Sequence, residues 1–280
     1  MKIKEVLGFV PLICLDDGHG METAGKRTPK FSDGHFIHEN EFNRAVIDLV
    51  LADAKRLGFL TKHVSPGDND VSLQTRTTTA NAAYSDYQKQ LNGKTVINGK
   101  PISIFISEHY NAMADTWEGS TAEGAATYYY TGSIEGKKLA TAIQKCIIQG
   151  TPQKNRGIVE AGFYVLKYTN MPAVLIEAGF MDDPREAALM TNKAFQKETA
   201  EQVMQGICEY YGLTYEKEIP DQNTKSVQEI AVDNAIADKV LTDRSYWLDV
   251  LTGVEVAKKE WLLHIFNNYH AALEQCKKMK

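Results

Sequence analysis

Short apolar runs alternate with segments of helical periodicity along residues 12–211, and this alternation limits the folds that the chain can adopt. Strands that alternate with helices form a largely parallel sheet covered by helices. The apolar runs predict strands over 12–16, 59–64, 102–108, 124–130, 162–167 and 173–177. The intervening segments predict helices over 39–57, 72–90, 134–149 and, in two pieces, 184–211. The sequence therefore predicts an α/β fold of three layers, with a twisted, largely parallel sheet flanked by helices.

Local signals support these boundaries. Gly58 follows the first long helical segment, where a glycine commonly ends a helix. Ser72 and Ser133 precede the next two helices and are suitable N-cap residues. The stretch "VINGKPI", 96–102, has Asn-Gly between apolar residues and predicts a small hairpin.

The pattern changes after residue 213. Residues 214–224 are polar and include one proline, which is typical of a linker. Beyond them the periodicity is helical only, with Trp261, Ile265 and Tyr269 recurring at i, i+4 and i+8. We predict a first domain over 1–213, a linker over 214–224 and a small all-α C-terminal module over 225–280.

The composition excludes several classes of partner. A net charge of -5 and a pI near 5.8 argue against nucleic acid and against simple adhesion to anionic surfaces. No apolar run approaches the ~20 residues of a transmembrane segment. The start, "MKIKEVLGFVPLICL", is similar to a signal peptide but lacks a small-residue cleavage site and leads into a predicted strand, so we expect no signal peptide. Four cysteines without a C-x-x-C pair predict buried thiols in a reducing compartment.

Two histidines follow predicted strands. His19 lies in "DDGHG" and His109 in "IFISEHYNA". The carboxyl ends of parallel strands meet at one edge of a sheet, where α/β proteins build their sites. Two carboxylates join them: Glu39 begins a predicted helix, where the helix dipole alone could explain it, and Glu177 ends an apolar strand, where a salt bridge could.

Two histidines and one carboxylate form a zinc ligand set that leaves a position for water. A further glutamate nearby can take a proton from that water. The residues thus supply the parts of a metal hydrolase, although their spacing alone leaves the structural alternatives open.

Four motifs, in order, give a more specific indication: "DDGHG", "HENEFN", "SEHYNA" and "PAVLIEAGFMDDPREAALM". They resemble the signatures of the zinc-dependent N-acetylmuramoyl-L-alanine amidases, which hydrolyse bacterial peptidoglycan. Arg76 with Ala80-Asn81, and the stretch "RGIVEAGFYVL", also resemble this family. The resemblance covers about 12–211. Asp17 departs from the family's proline and Met21 from its glycine, which leaves substrate contacts in that loop unassigned.

The resemblance implies a role for each matched residue. His19, Glu39 and His109 bind Zn²⁺, and Glu177 is the catalytic base. Zinc-activated water attacks the amide between N-acetylmuramic acid and the L-alanine of the stem peptide. Zinc steadies the developing oxyanion, and Glu177 returns the proton to the departing nitrogen. The substrate-binding residues are unknown from the sequence.

The other histidines, Glu108 and a run of tyrosines are not expected to be primary metal ligands. His35 and His38 flank Glu39 and are expected to support it or to face solvent, with His38 the first substitute ligand. His63 lacks a matching motif, and strand alternation places Glu108 opposite His109. The remaining candidates are His264 and His270, which do not share a helix face, and the run Tyr128–Tyr130, read as strand core with one exposed ring or, alternatively, as a sugar-stacking surface.

Two other functions stay open on the sequence. One is a zinc amidohydrolase that acts on peptides or acyl amino acids, and the other is a non-catalytic cell-wall-binding protein. If the chain is an amidase, the expected setting is a phage endolysin that stays cytoplasmic until it is released to the cell wall, since an exported autolysin needs a signal. Peptidoglycan is the expected partner. The module over 225–280 is expected to bind the wall or to mediate packing or self-association.

Overall fold

A computed structural model describes residues 3–118, 121–151 and 153–217. The helices are α1 (Ile3–Leu7), α2 (Glu39–Leu57), α3 (Leu73–Gln90), α4 (Ile134–Ile147), α5 (Tyr164–Lys167), α6 (Pro184–Met190) and α7 (Lys193–Tyr211). The strands are β1 (Leu12–Asp16), β2 (Leu60–His63), β3 (Val96–Ile97), β4 (Lys100–Pro101), β5 (Ser103–Asn111), β6 (Ala125–Tyr130), β7 (Asn155–Ala161) and β8 (Ala173–Phe180).

Six strands form one mixed sheet in the order β2-β1-β5-β8-β6-β7. Strands β2, β1, β5 and β8 are mutually parallel, whereas β6 runs antiparallel to β8 and parallel to β7. The mostly parallel sheet confirms the α/β prediction. It also brings the carboxyl ends of β1, β5 and β8 to one edge, as expected for a site. The two short strands β3 and β4 pair separately and form the predicted hairpin.

Helices cover both faces of the sheet. On one face, α3 packs against β1 and contacts α5, which lies against β6 and β8. On the other face, α7 packs against both α2 and α4, with α2 on β5 and α4 on β6. Strands β1, β5 and β8 are buried along almost their whole length. Burial on both faces explains why they appear in the sequence as continuous apolar runs.

One predicted strand is wrong. Residues 155–161 form β7, whereas the predicted strand over 162–167 contains the one-turn helix α5. Strand β7 pairs only with β6 at the sheet edge, and its residues are exposed or half-buried, so it lacks an apolar run. The apolar character of the next segment comes from Val165 and Leu166, which anchor the helical turn in the core. Helix α1 was not anticipated; it buries Ile3 and Leu7.

The predicted helix ends are confirmed. Ser72 Oγ accepts a hydrogen bond from Thr75 N at 3.1 Å, and Ser133 Oγ accepts one from Gly136 N at 3.0 Å. Gly58 ends α2 with a φ of 91°. Each contact satisfies helix-terminal groups that have no partner within the helix.

Cys14, Cys146 and Cys208 are buried free thiols, as the cysteine pattern indicated. Within the described ranges, no helix has the length and hydropathy needed to cross a bilayer. The module predicted over 225–280, with His264 and His270, lies outside the described residues, as does most of the linker predicted over 214–224. Those predictions therefore stay predictions.

Candidate metal centre

Close packing explains why glycine stands on both sides of His19. Gly18 has a φ of 71°, and a Cβ there would lie 2.8 Å from His109 Cε1. A Cβ on Gly20 would lie 2.2 Å from Asp70 N. Gly18 therefore leaves room for the second imidazole, and Gly20 allows the loop after β1 to pack on another backbone segment. The pair places His19 at the sheet edge, with its ring centroid 5.0 Å from that of His109.

Glu39 is the first residue of α2 and is buried. Its Oε1 accepts hydrogen bonds from Tyr110 N and Asn43 Nδ2, both at 3.2 Å, and lies 2.8 Å from His109 Nδ1. Its Oε2 is buried without a hydrogen bond. That oxygen lies 3.8 Å from His19 Nε2 and 3.7 Å from Lys26 Nζ. One carboxylate oxygen is thus anchored, while the other has no bonded partner.

His109 lies near the end of β5, with Nε2 3.1 Å from Ser107 Oγ. Ser107 Oγ in turn donates to Asp16 Oδ2 at 2.7 Å. The strand register places Ser107 beside Asp16 of β1 and places His109 beside Glu177 of β8. The parallel pairing of β1, β5 and β8 therefore brings the His109 imidazole and the Glu177 carboxyl to one face of the sheet.

His19, Glu39 and His109 offer three ligand atoms within 4.8 Å of one another. The donor set of two imidazoles and one carboxylate suits Zn²⁺. The fit is supported by Glu39 Oε2, because a buried carboxylate oxygen without a hydrogen bond needs a cation or a proton. These residues fit a zinc ion by chemistry and by proximity.

Glu177 is half-buried in β8, which continues for three residues beyond it, and its Oε2 is buried without a hydrogen bond. Burial raises the pKa of Glu177 to about 8, the nearby charge of Glu39 also raises it, and His109 opposes the shift. The group faces the metal-binding cluster but is outside it. A carboxylate with a raised pKa beside a ligand cluster is suited to hold and release a proton.

The surroundings of His19 and Glu39 favour their metal-binding protonation states, whereas the hydrogen bond and charge of Glu39 outweigh burial and raise the pKa of His109. Burial lowers the pKa of His19 to about 3, which keeps its imidazole neutral. Burial alone would raise the pKa of Glu39, but the hydrogen bond and charge of His109 outweigh it and lower that pKa. A neutral imidazole and an ionised carboxylate are the forms that bind a metal.

Lys26 is a neighbour of the cluster that sequence reasoning missed. It lies in the loop between β1 and α2, where no periodicity or motif marked it. Lys26 O accepts a hydrogen bond from Glu39 N at 3.0 Å, so the lysine is tied to the start of α2. Its Nζ is a cation beside Glu39, and the side chain is 40% exposed.

The departure at Asp17 places a buried carboxylate beside two half-buried side chains, apart from the ligand cluster. Asp17 Oδ2 lies 3.2 Å from both Arg44 Nε and His63 Nε2. Asp17 N also donates to Ser65 Oγ at 3.0 Å. His63 therefore pairs with the residue that stands in place of the family's proline, and neither belongs to the ligand cluster.

The remaining sequence candidates lie apart from the cluster. His35 is exposed and pairs with Asp33, and it stacks on Phe31. His38 precedes α2, with its N donating to Glu41 Oε1 at 2.9 Å. Glu108 is fully buried, pairs in register with Ile176 and alternates with His109. Of the tyrosine run, Tyr129 is buried, and its two neighbours are half-buried.

The fold and the residues at its edge define a class of protein: an α/β domain with one candidate metal centre among its described residues. Residues 13–209 match the N-acetylmuramoyl-L-alanine amidase family, Amidase_3. The chain belongs to this family and is a peptidoglycan amidase.

Named relatives agree with this assignment. The chain is 28% identical over 201 residues to the N-acetylmuramoyl-L-alanine amidase LytC of Bacillus subtilis, a match of 71% of this chain and 35% of LytC. It is 26% identical over 204 residues to the germination-specific N-acetylmuramoyl-L-alanine amidase of the same organism, which covers 71% of this chain and 79% of that protein. The match to LytC thus spans about a third of that relative.

Solved structures show the same fold. An N-acetylmuramoyl-L-alanine amidase from Clostridium difficile 630 superposes with a TM-score of 0.59 at 29% identity, covering 72% of this chain and 97% of that one. The catalytic domain of CwlV, an amidase from Bacillus (Paenibacillus) polymyxa var. colistinus, gives 0.58 at 25% identity, covering 73% and 100%. The residues matched correspond to the domain that holds the candidate centre.

Proposed function

We propose that this chain hydrolyses the amide between N-acetylmuramic acid and L-alanine with the help of Zn²⁺. In this proposal His19, Glu39 and His109 bind the zinc ion, and Glu177 is the catalytic base. The observation that carries the proposal is the convergence of three ligand atoms within 4.8 Å, with Glu177 in register beside His109.

When bound, zinc supplies a Lewis acid that lowers the pKa of water and neutralises charge on the carbonyl oxygen. The chain's own residues perform the proton transfers. Glu177 takes a proton from the attacking water and delivers it to the departing L-alanine nitrogen, so that one carboxyl acts first as base and then as acid. Burial raises the pKa of Glu177, and a general acid–base group works best when its pKa lies near the operating pH.

The residues around the ligands hold them in position. Tyr110 N and Asn43 fix one oxygen of Glu39, which leaves the other directed towards His19. Ser107 connects His109 to Asp16 of the neighbouring strand. Ligands held by such contacts need little rearrangement to bind a metal, which favours affinity.

Digestion of purified peptidoglycan sacculi tests the proposal. We expect new free L-alanine amino groups, detected by end-group analysis, with no new reducing sugar ends. Chelation is expected to abolish their release, and added zinc to restore it. A chelated protein that keeps its full rate would contradict the metal role, and cleavage of peptides alone would favour the broader amidohydrolase function.

The biological setting is a separate proposal. As a phage endolysin, the protein would lyse susceptible cells once it reaches the wall. Added purified protein is then expected to lower the turbidity of cells whose membrane has been opened. Cells whose walls lose L-alanine linkages without lysis would instead favour a remodelling role.

A further inference from the structure

Three aromatic side chains stand at the surface of the domain, around the one-turn helix α5. Phe163, Tyr164 and Tyr168 are 41%, 36% and 47% exposed. The same turn buries its two aliphatic residues, Val165 and Leu166. Large aromatic rings contribute most to stability when they are buried. A turn that buries its aliphatic residues and exposes its rings is therefore not explained by core formation.

The rings are arranged in two contacting pairs. Tyr128 of β6 and Phe163 have ring centroids 5.2 Å apart, and Tyr164 and Tyr168 have theirs 4.4 Å apart. The pairs are adjacent in the chain because Phe163 directly precedes Tyr164. We call these four residues, Tyr128, Phe163, Tyr164 and Tyr168, the aromatic platform.

The aromatic platform is continuous with the candidate metal centre. Tyr128 pairs in register with Leu175, and Glu177 lies two residues further along β8, or ~7 Å. Strand alternation places these three side chains on one face of the sheet.

The platform is held in place by α3. Asn81 Nδ2 donates to Tyr168 O at 2.8 Å, and Asn170 N donates to Asn81 Oδ1 at 2.8 Å. Thr169 Oγ1 donates to Val165 O at 2.9 Å, closing the turn. The backbone that carries the rings is thus fixed before any ligand arrives, which lowers the entropic cost of binding.

On the basis of the proposed amidase function, we infer that the aromatic platform binds the N-acetylated glycan strand of peptidoglycan beside the scissile amide. A pyranose ring has an apolar C–H face that packs on an aromatic face, and tyrosine hydroxyls can hydrogen-bond its polar edge. Lys167 Nζ lies 5.1 Å from the centroid of the Tyr168 ring, so a carboxylate-bearing stem peptide, which cations recognise, is the competing ligand. The strand must pass close to Glu177, because its muramic acid carries the bond that is cleaved.

Variants of the full chain test this inference. Phe163→Ala, Tyr164→Ala and Tyr168→Ala are each expected to raise KM for a glycan-chain substrate about three- to tenfold, with kcat near the unsubstituted value. Tyr168→Trp should retain KM, because the indole offers a ring face. Leu60→Ala is the matched control, since Leu60 is 43% exposed on β2, at the far edge of the sheet.

Binding measured without turnover separates the ligands. In a Glu177→Gln background, peptide-free glycan strands and free stem peptides are the two probes, and the platform variants should weaken only glycan binding. Phe163→Leu and Tyr168→Leu keep apolar area but lose the ring. They are expected to show the same loss of glycan binding, and they replace any alanine variant that unfolds.

Unchanged KM and glycan affinity in the ring-deleted variants would overturn the inference. An equal loss of stem-peptide binding would also overturn it, because the platform would then hold the peptide. If the unsubstituted chain releases no L-alanine ends from sacculi, the proposed function fails. Glycan binding by the Glu177→Gln protein tests the platform even in that case.

Discussion

At the scale of single residues, the two carboxylates of the candidate centre differ in protonation. The pKa of Glu39 is lowered chiefly by His109, against the effect of burial, whereas burial raises the pKa of Glu177 to about 8. Two carboxyl groups whose surroundings move their pKa values apart are suited to different tasks. Glu39 is then a permanent anion for a metal, and Glu177 a group that exchanges a proton.

We expect Glu177→Gln to keep its zinc and its fold and to lose the chemical step. General acid–base groups contribute about 10²–10⁴-fold, so kcat should fall by roughly that factor. The measurement is the rate of L-alanine release, combined with metal analysis of the same sample. His109→Ala is the comparison variant, because it should lose both metal and activity. Near-normal turnover in a zinc-replete Glu177→Gln protein would place the base elsewhere.

We expect Lys26→Met to bind zinc more tightly. The Lys26 ammonium lies 3.7 Å from Glu39 Oε2, where it repels an incoming cation. Because the side chain is 40% exposed, solvent weakens this repulsion, and a gain of about three- to tenfold is expected at low salt.

Competition with a chelator measures this affinity. Lys30→Met, in the same loop, is the control for loss of one positive charge, since Lys30 is exposed. Added salt should reduce the difference between Lys26→Met and the unsubstituted protein. Equal zinc affinity at low salt would show that Lys26 does not compete for Glu39.

At the scale of elements, β5 carries polar side chains on both faces of the sheet, but only one face holds the candidate centre. Ser107 and His109 face the candidate centre, and Glu108 alternates with them towards the helices on the other side. Glu108 is fully buried, and both of its carboxyl oxygens lack a hydrogen bond. A carboxyl in such a place is held neutral, and burial raises its pKa well above the usual range.

We therefore expect Glu108 to make the protein less stable as pH rises. Below the ordinary glutamate pKa both folded and unfolded states are protonated. Above it the unfolded chain releases the proton while the folded chain retains it, so the free energy of unfolding falls until the folded pKa is reached. The slope is at most about 1.4 kcal/mol per pH unit.

Glu108→Gln removes this dependence. The measurement is urea unfolding at about pH 4, 5.5 and 7, a range that begins near the ordinary glutamate pKa. The free energy of unfolding of the variant should rise relative to that of the unsubstituted protein as pH rises. Glu118→Gln, at an exposed glutamate of the described chain, is the control and should show no such gain. A constant difference across pH would mean that Glu108 ionises normally in the folded protein.

At the scale of the whole molecule, the catalytic domain and the C-terminal segment pose different questions. The family match and the described structure both concern the first part of the chain, up to residues 209 and 217. The role of 225–280 is a sequence prediction with two alternatives, wall binding and packing or self-association. Each alternative makes a distinct prediction for a truncated chain.

If 225–280 binds the wall, a 1–215 truncation should cleave soluble muropeptides normally and lyse cells poorly. The 220–280 fragment should then cosediment with susceptible cells. If the segment mediates self-association, the full chain should sediment as an oligomer and the truncation as a monomer. A truncation that lyses cells as well as the full chain, while the fragment stays in the supernatant, would contradict wall binding.

The sequence by itself determined the α/β class, most element boundaries, and the residues that lie at the candidate centre, with His19, Glu39 and His109 in the cluster and Glu177 beside it. These depend on local information: apolar runs, helical periodicity, caps at Ser72 and Ser133, and motifs whose order follows the chain. His19 and His109 could be expected at one edge because parallel strands end together.

Only the tertiary structure decided the rest, because it depends on which distant segments pack together. Strand β7 has one neighbour and no apolar run, so its position follows from pairing with β6. Lys26 reaches Glu39 from a loop without periodicity, and His63 pairs with Asp17 across two strands. Phe163 and Tyr164 lie in the strand predicted over 162–167, and Tyr168 follows it. Their exposure arises because Val165 and Leu166 already occupy the core beneath them.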